Sequence, residues 1–145
     1  MAEKVTARFI IEVAGKPKEK VDEALNYVMK KLQSKENKFK IIEEELIESE
    51  LDEKSSLFGG FIEVTAKFDS IQDLMVFVLD YTPTSIEVES PSKIALDNGE
   101  FSAVLGEFSK HMLNSLNTIR RLNATAVHLD KELKLLKGRN HKPKK

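Results

Sequence analysis

Apolar and polar positions alternate with period two over Val5, Ala7, Phe9, Ile11 and Val13, set against Thr6, Arg8, Ile10 and Glu12. That is the pattern of a strand with one face buried. Gly15 closes it, and Pro17 stands where the first turn of a helix tolerates a missing N–H. Val21, Ala24, Leu25, Val28 and Leu32 then recur at steps of three and four, predicting an amphipathic helix to about Ser34. From Lys38 to about Ser49 the chain is rich in Ile and Phe, but its parity slips. Phe39 and Ile41 share one face, whereas Ile42, Glu44 and Leu46 share the other, as expected of a bulged strand at a sheet edge. Leu51–Leu57 reads as a polar loop. Phe61–Phe68 alternates again, with Ile62, Val64, Ala66 and Phe68 on one side.

A second helix follows, capped by Asp69 or Ser70 and helped by Asp73 in its first turn. Its expected buried stripe is Ile71, Leu74, Met75, Val78 and Leu79, and Pro83 ends it. Ser85–Glu89 reads as a short strand with Ile86 and Val88 inward, broken by Pro91. Asp97 and Glu100 are spaced as a capping box for the last element. From there Phe101, Leu105, Phe108, Met112, Ser115, Ile119, Leu122, Ala126, Leu129, Leu133 and Leu136 alternate steps of four and three. This is a heptad seam held in one register, with Ser115 its only polar member. At about 1.5 Å per residue it predicts a helix of roughly 60 Å.

The order β-α-β-β-α-β followed by a long helix resembles the ferredoxin-like fold, an α+β sandwich with a four-stranded antiparallel sheet. The expected organisation is a ferredoxin-like domain over residues 1–96, a long coiled-coil-like helix over 97–137, and a disordered basic tail over 138–145. Off-seam apolar residues Val104, Leu113 and Leu116 widen the first part of the helix stripe. Residues 98–116 are therefore expected to dock on the domain, and residues 117–137 to seek a second chain.

Composition narrows the chemistry. Of 145 residues 32% are charged and 41% apolar, a globular profile, and the formal net charge is −1. With no Cys, disulfides, thiolate nucleophiles and cysteine-bound metals are excluded. The polar start lacks a secretory pattern and no apolar run approaches a membrane span, so a cytoplasmic protein with no membrane contact is expected.

The candidate chemical groups reduce to ordinary roles. His111, His128 and His141 lack the three- or four-residue spacing of a helical metal-ligand pair. Glu43, Glu44, Glu45, Glu48, Glu50, Asp52 and Glu53 lack the loop spacing of a calcium site and read as a solvated edge. Phe58–Val64 matches an RNA-binding strand only at Gly60-Phe61-Ile62, with Glu63, Glu87 and Glu89 repelling phosphate, so the glycines read as helping a strand to start. Ser and Thr near Thr82–Ser92 have no neighbouring base. No catalytic, metal or cofactor site is expected.

Two features point to partners. The seam residues Leu105, Phe108, Met112, Ile119, Leu122, Ala126, Leu129, Leu133 and Leu136 form a candidate interface, for a homodimer or a helical protein partner. Lys134, Lys137, Arg139, Lys142, Lys144 and Lys145 cluster without an acidic neighbour among the last twelve residues, a candidate contact for a polyanion such as nucleic acid or the ribosome. The expected function is a non-catalytic interaction protein. The alternative is a small-molecule sensor with ligand at a dimer interface, the turns Gly15–Lys18 and Tyr81–Ser85 being its candidate binding places.

Overall fold

A computed structural model describes residues 4–140. Its elements run β1 (Val5–Gly15), α1 (Lys18–Leu32), β2 (Phe39–Asp52), β3 (Leu57–Phe68), α2 (Ile71–Tyr81), β4 (Ser85–Ser90) and α3 (Asn98–Asn140). The four strands form one antiparallel sheet in the order β2-β3-β1-β4, the ferredoxin-like arrangement expected from the element order. The chain divides into two compact units, Met1–Glu107 and Phe108–Lys145.

In the first unit, the inner positions of the central strands are the apolar half of each alternation. Val5, Ala7, Phe9 and Ile11 of β1 and Ile62, Val64, Ala66 and Phe68 of β3 are all buried. Both α1 and α2 pack on these strands. The core gathers five aromatic rings, from Phe9, Phe39, Phe68, Phe77 and Tyr81. Phe77 lies 4.4 Å from Phe9, 4.9 Å from Phe39, 5.4 Å from Phe68 and 4.5 Å from Tyr81 by ring centroids. The buried stripe of α2 is thus Leu74, Phe77 and Tyr81, rotated from the expected one; Met75 and Leu79 are half-buried. Most residues of this short helix are apolar, so periodicity alone does not choose a face. The rings do. Burial also pushes the Tyr81 phenol above its ordinary range, with the Asp80 charge adding to the effect.

The parity slip in β2 is resolved by its register. Phe39 pairs with Phe68 and Ile41 with Ala66, then the ladder shifts and Glu44 pairs with Val64 and Leu46 with Ile62. One extra residue at Ile42 lets Phe39, Ile41 and Leu46 all pack on the core despite their mixed parity. A second irregularity between Ile47 and Glu50 turns Ser49 inward, where its hydroxyl donates to Asp22 Oδ1 of α1 at 2.6 Å. Strand β2 also outruns its expected end. It reaches Asp52 and closes on β3 through a four-residue turn, so the predicted loop from Leu51 to Leu57 is the tip of a hairpin. The Asp52 carboxylate accepts from the Lys54 N–H at 3.1 Å and the Ser55 hydroxyl at 3.0 Å, and Ser56 takes φ 61°. Polar side chains at the tip conceal a strand there because both its faces meet water.

Strand β4 departs from expectation in the same sense. Ile86 and Val88 pair with Phe9 and Ala7 and so share the helix-covered face, yet they remain 46% and 41% exposed. As the last strand of the sheet, β4 lies beyond the cover that α1 and α2 give its neighbours. Helix caps follow the sequence more closely. Ser70 Oγ accepts from the Asp73 N–H at 3.1 Å, and α2 ends at Thr82, which takes φ 44° and donates its N–H to the Val78 carbonyl at 2.9 Å.

Gly60 explains the glycine pair. A Cβ there would stand 2.5 Å from Leu25 Cδ1, 3.0 Å from the Ile47 carbonyl oxygen and 3.1 Å from the Ser49 nitrogen, so α1 rests directly on this backbone. Gly59 would meet nothing within 4 Å. Gly60→Ala is therefore expected to lower unfolding stability by about 1–3 kcal/mol, whereas Gly59→Ala should be neutral or stabilising by up to about 1 kcal/mol, as read by urea denaturation. Phe77→Ala, which empties the centre of the aromatic cluster, should cost about 3–5 kcal/mol in the same measurement.

Candidate interaction interface

Helix α3 starts where its cap predicts. Asp97 Oδ1 accepts from the Glu100 N–H at 2.7 Å, and Asp97 O accepts from the Phe101 N–H at 3.0 Å. The hydrogen bond between the Asp97 and Glu100 side chains, followed by the charge of Asp97, holds the Glu100 carboxyl above its usual range. The helix continues to Asn140, three residues past the expected end at Lys137. Neither proline nor a β-branched run interrupts it, and a Cβ at Gly106 or Gly138 would meet nothing within 4 Å. Both glycines are tolerated, each at a helix-propensity cost of about 1 kcal/mol.

The seam is exposed from end to end. Phe101, Leu105, Phe108, Met112, Ile119, Leu122, Leu129, Leu133 and Leu136 keep 44–62% of their surface in solvent, and Ser115 and Ala126 are exposed as well. Within 98–107 the only buried residue is Val104, one position before Leu105 and off the seam. The expected docking of 98–116 is thus reduced in this segment to a single side chain. The heptad face is left uncovered even in the turns that belong to the first unit. Off-seam apolar residues Leu113, Leu116, Val127 and Leu135 are exposed too and widen the stripe. An apolar face of this length is far larger than the scattered single exposures normal on a protein surface.

Along its flanks α3 carries paired charges. His128 Nε2 lies 3.1 Å from Glu132 Oε1, and Lys134 Nζ lies 3.2 Å from Asp130 Oδ2, both at a spacing of four. Of the expected polyanion contacts, Lys134, Lys137 and Arg139 are exposed on the last turns of α3, Lys134 already engaged by Asp130. Lys142, Lys144 and Lys145, with His141, lie outside the described residues.

The open face of the sheet is acidic. Register places Glu43, Glu45, Glu63 and Glu87 on it around Thr65, with Arg8, Lys40 and Lys67 as the cations among them. Arg8 Nη2 donates to Glu87 Oε2 at 2.7 Å and Arg8 Nη1 lies 3.6 Å from Glu63, so the guanidinium is spanned by carboxylates of two strands. That hydrogen bond, with the charges of Glu87 and Glu63, pushes Arg8 further up. Thr65 is buried at the middle of this face, in a hollow that Thr6, Arg8, Glu43, Glu45 and Glu63 help to line. Phe61 is half-buried, opposite Glu12 on one side and Ile47 on the other. Of the two turns considered for a small ligand, Tyr81–Ser85 is already occupied internally: the Thr84 N–H and hydroxyl both donate to the Ile10 carbonyl, at 2.8 and 3.2 Å. Among the described residues no three His, Asp or Glu side chains converge to hold a metal ion, and no helix is long and apolar enough to cross a membrane.

The profile of the MJ0538 family matches residues 6–138, so this chain belongs to that family. No curated protein and no solved structure matches it.

The Asp97–Glu100 contact gives a measurable pH dependence. Because the pair lifts Glu100 above its unfolded value, its contribution is complete below the ordinary glutamate range and is lost as pH rises through the raised value. Asp97→Asn removes the neighbouring charge, and the Glu100 carboxyl is expected to titrate at lower pH, followed by its side-chain NMR shift.

Proposed function

We propose that this protein acts by association and carries out no chemistry of its own, and that a second copy pairs with it along the heptad face of α3. The observation that carries this reading is the uninterrupted exposure of the seam from Phe101 to Leu136. Apolar side chains at successive a and d positions are stable in water only when another helix covers them. Covering two such faces removes apolar surface from water, and that gain is what pairing sets against the cost of association. The first unit then serves as a carrier whose own core is complete without the helix seam.

The basic end of α3 is the surface this chain offers to a polyanion, since the carboxylates of the open sheet face repel one. A chain ending at Lys137 is expected to lose salt-sensitive binding to mixed RNA, read by titration at increasing salt; affinity equal to the full chain would remove that role.

Self-association is tested by sedimentation equilibrium. The full chain is expected to sediment as a dimer, and Leu122→Glu with Leu129→Glu as a monomer, because each buries a carboxylate against the partner. The aromatic near-ultraviolet signal of the first unit should be unchanged in that variant. A dimer that survives both substitutions would reject the seam as the interface.

A further inference from the structure

We infer that the second copy lies antiparallel on α3, so that the basic end of each helix comes abreast of the partner's acidic helix start. This rests on the self-association proposed above and fixes its orientation and register.

The first argument is charge. Residues 1–96 carry 13 Lys and Arg against 19 Asp and Glu, whereas residues 97–145 carry 10 against 5. Six of those ten cations fall from Lys134 onward, and the carboxylates Asp97, Glu100 and Glu107 stand at the opposite end of the helix. A parallel pair would set two anionic segments side by side and two cationic ends side by side. An antiparallel pair opposes unlike ends at both extremes and also opposes the two helix dipoles.

The second argument is size along the seam. Leu105, Met112, Ile119, Ala126 and Leu133 are the a positions, and Phe101, Phe108, Ser115, Leu122, Leu129 and Leu136 the d positions. In an antiparallel pair an a residue faces a d residue of the other chain. Two heptad registers keep nearly the whole helix overlapped, and side-chain size favours the one that sets Ile119 against the partner's Leu122 and Leu105 against the partner's Leu136. In that register the two small members of the seam, Ser115 and Ala126, face each other across the pair. Sliding by one heptad in the direction that sets Ile119 against the partner's Ser115 would put Ala126 against the partner's Phe108. On the flanks no like charges meet: His111 comes beside the partner's Glu132, and Lys137 beside the partner's Ser102. A parallel pair gains Glu132 with the partner's Lys137, a single exposed ion pair that contributes little.

The chain has no cysteine, so single spin labels can be placed without background. Ser102 and Ser109 are exposed and lie beside the seam. In full-length Ser109→Cys and Ser102→Cys, pulsed electron–electron distance measurement is expected to give separations of about 35 Å and about 55 Å between the two copies, from the rise of an α-helix. The roughly 20 Å step between sites reports antiparallel helices, and the absolute values report the register, since a heptad slip moves both by about 10 Å. A dimer with both separations under about 20 Å is parallel and overturns the orientation while leaving self-association standing. Labelled chains that sediment as monomers at the concentrations used overturn both.

Discussion

Five aromatic rings packed between the sheet and two helices are the contact on which the first unit depends. Phe9 and Phe68 come from the two central strands, Phe39 from an edge strand, and Phe77 and Tyr81 from α2. Three separate parts of the chain therefore meet at Phe77. Each edge-on or tilted contact adds about 0.5–1.5 kcal/mol beyond the burial of its area. Packing of this kind also explains the irregularities of β2. The strand must bring Phe39 and Ile41 inward at one end and Leu46 farther along, and only an inserted residue satisfies both. The Leu25–Gly60 approach is the matching constraint on the other helix, with the Ser49–Asp22 hydrogen bond beside it.

With that core complete, the surfaces left over divide by character. The open sheet face is lined with carboxylates that pair with Arg8 and resist close approach by other anions. The heptad face of α3 is apolar and exposed. A chain that folds one apolar surface inward and leaves another exposed over many turns has two different problems of burial. The first is solved within the chain. The second is left open within the described residues.

Much of this was legible in the amino-acid order. Alternation in β1 and β3, the helix of α1, the Ser70 cap, the Asp97 cap and the heptad seam all follow from local chemistry that the sequence displays directly. What escaped was set by tertiary context. The face of α2 depends on rings supplied by other strands, and Phe77 carries no periodic signal in a helix that is apolar on most sides. Ile86 and Val88 alternate correctly, but whether a strand lies under a helix or beyond it is a property of sheet order. The extent of the β2–β3 hairpin was masked by charged residues that read as loop and function as the wet end of a ladder. For the interface, the seam positions were visible, whereas their exposure in the first turns was not. Val104, an off-seam residue, makes the burial that the wider stripe had suggested for the whole segment.

The edge strand β4 has a consequence for how this protein behaves in bulk. Its outer backbone groups form a row available to any other strand, and Ile86 and Val88 lie half-exposed beside that row. Such an edge is a template for sheet-to-sheet growth. Here it is only six residues long, Glu87 and Glu89 alternate with the apolar pair, and Pro91 follows at once. Carboxylates and a proline in these places act as gatekeepers, so that growth through β4 is opposed by repulsion between like charges. Resistance to sheet-to-sheet growth is thereby concentrated on the shortest strand of the sheet.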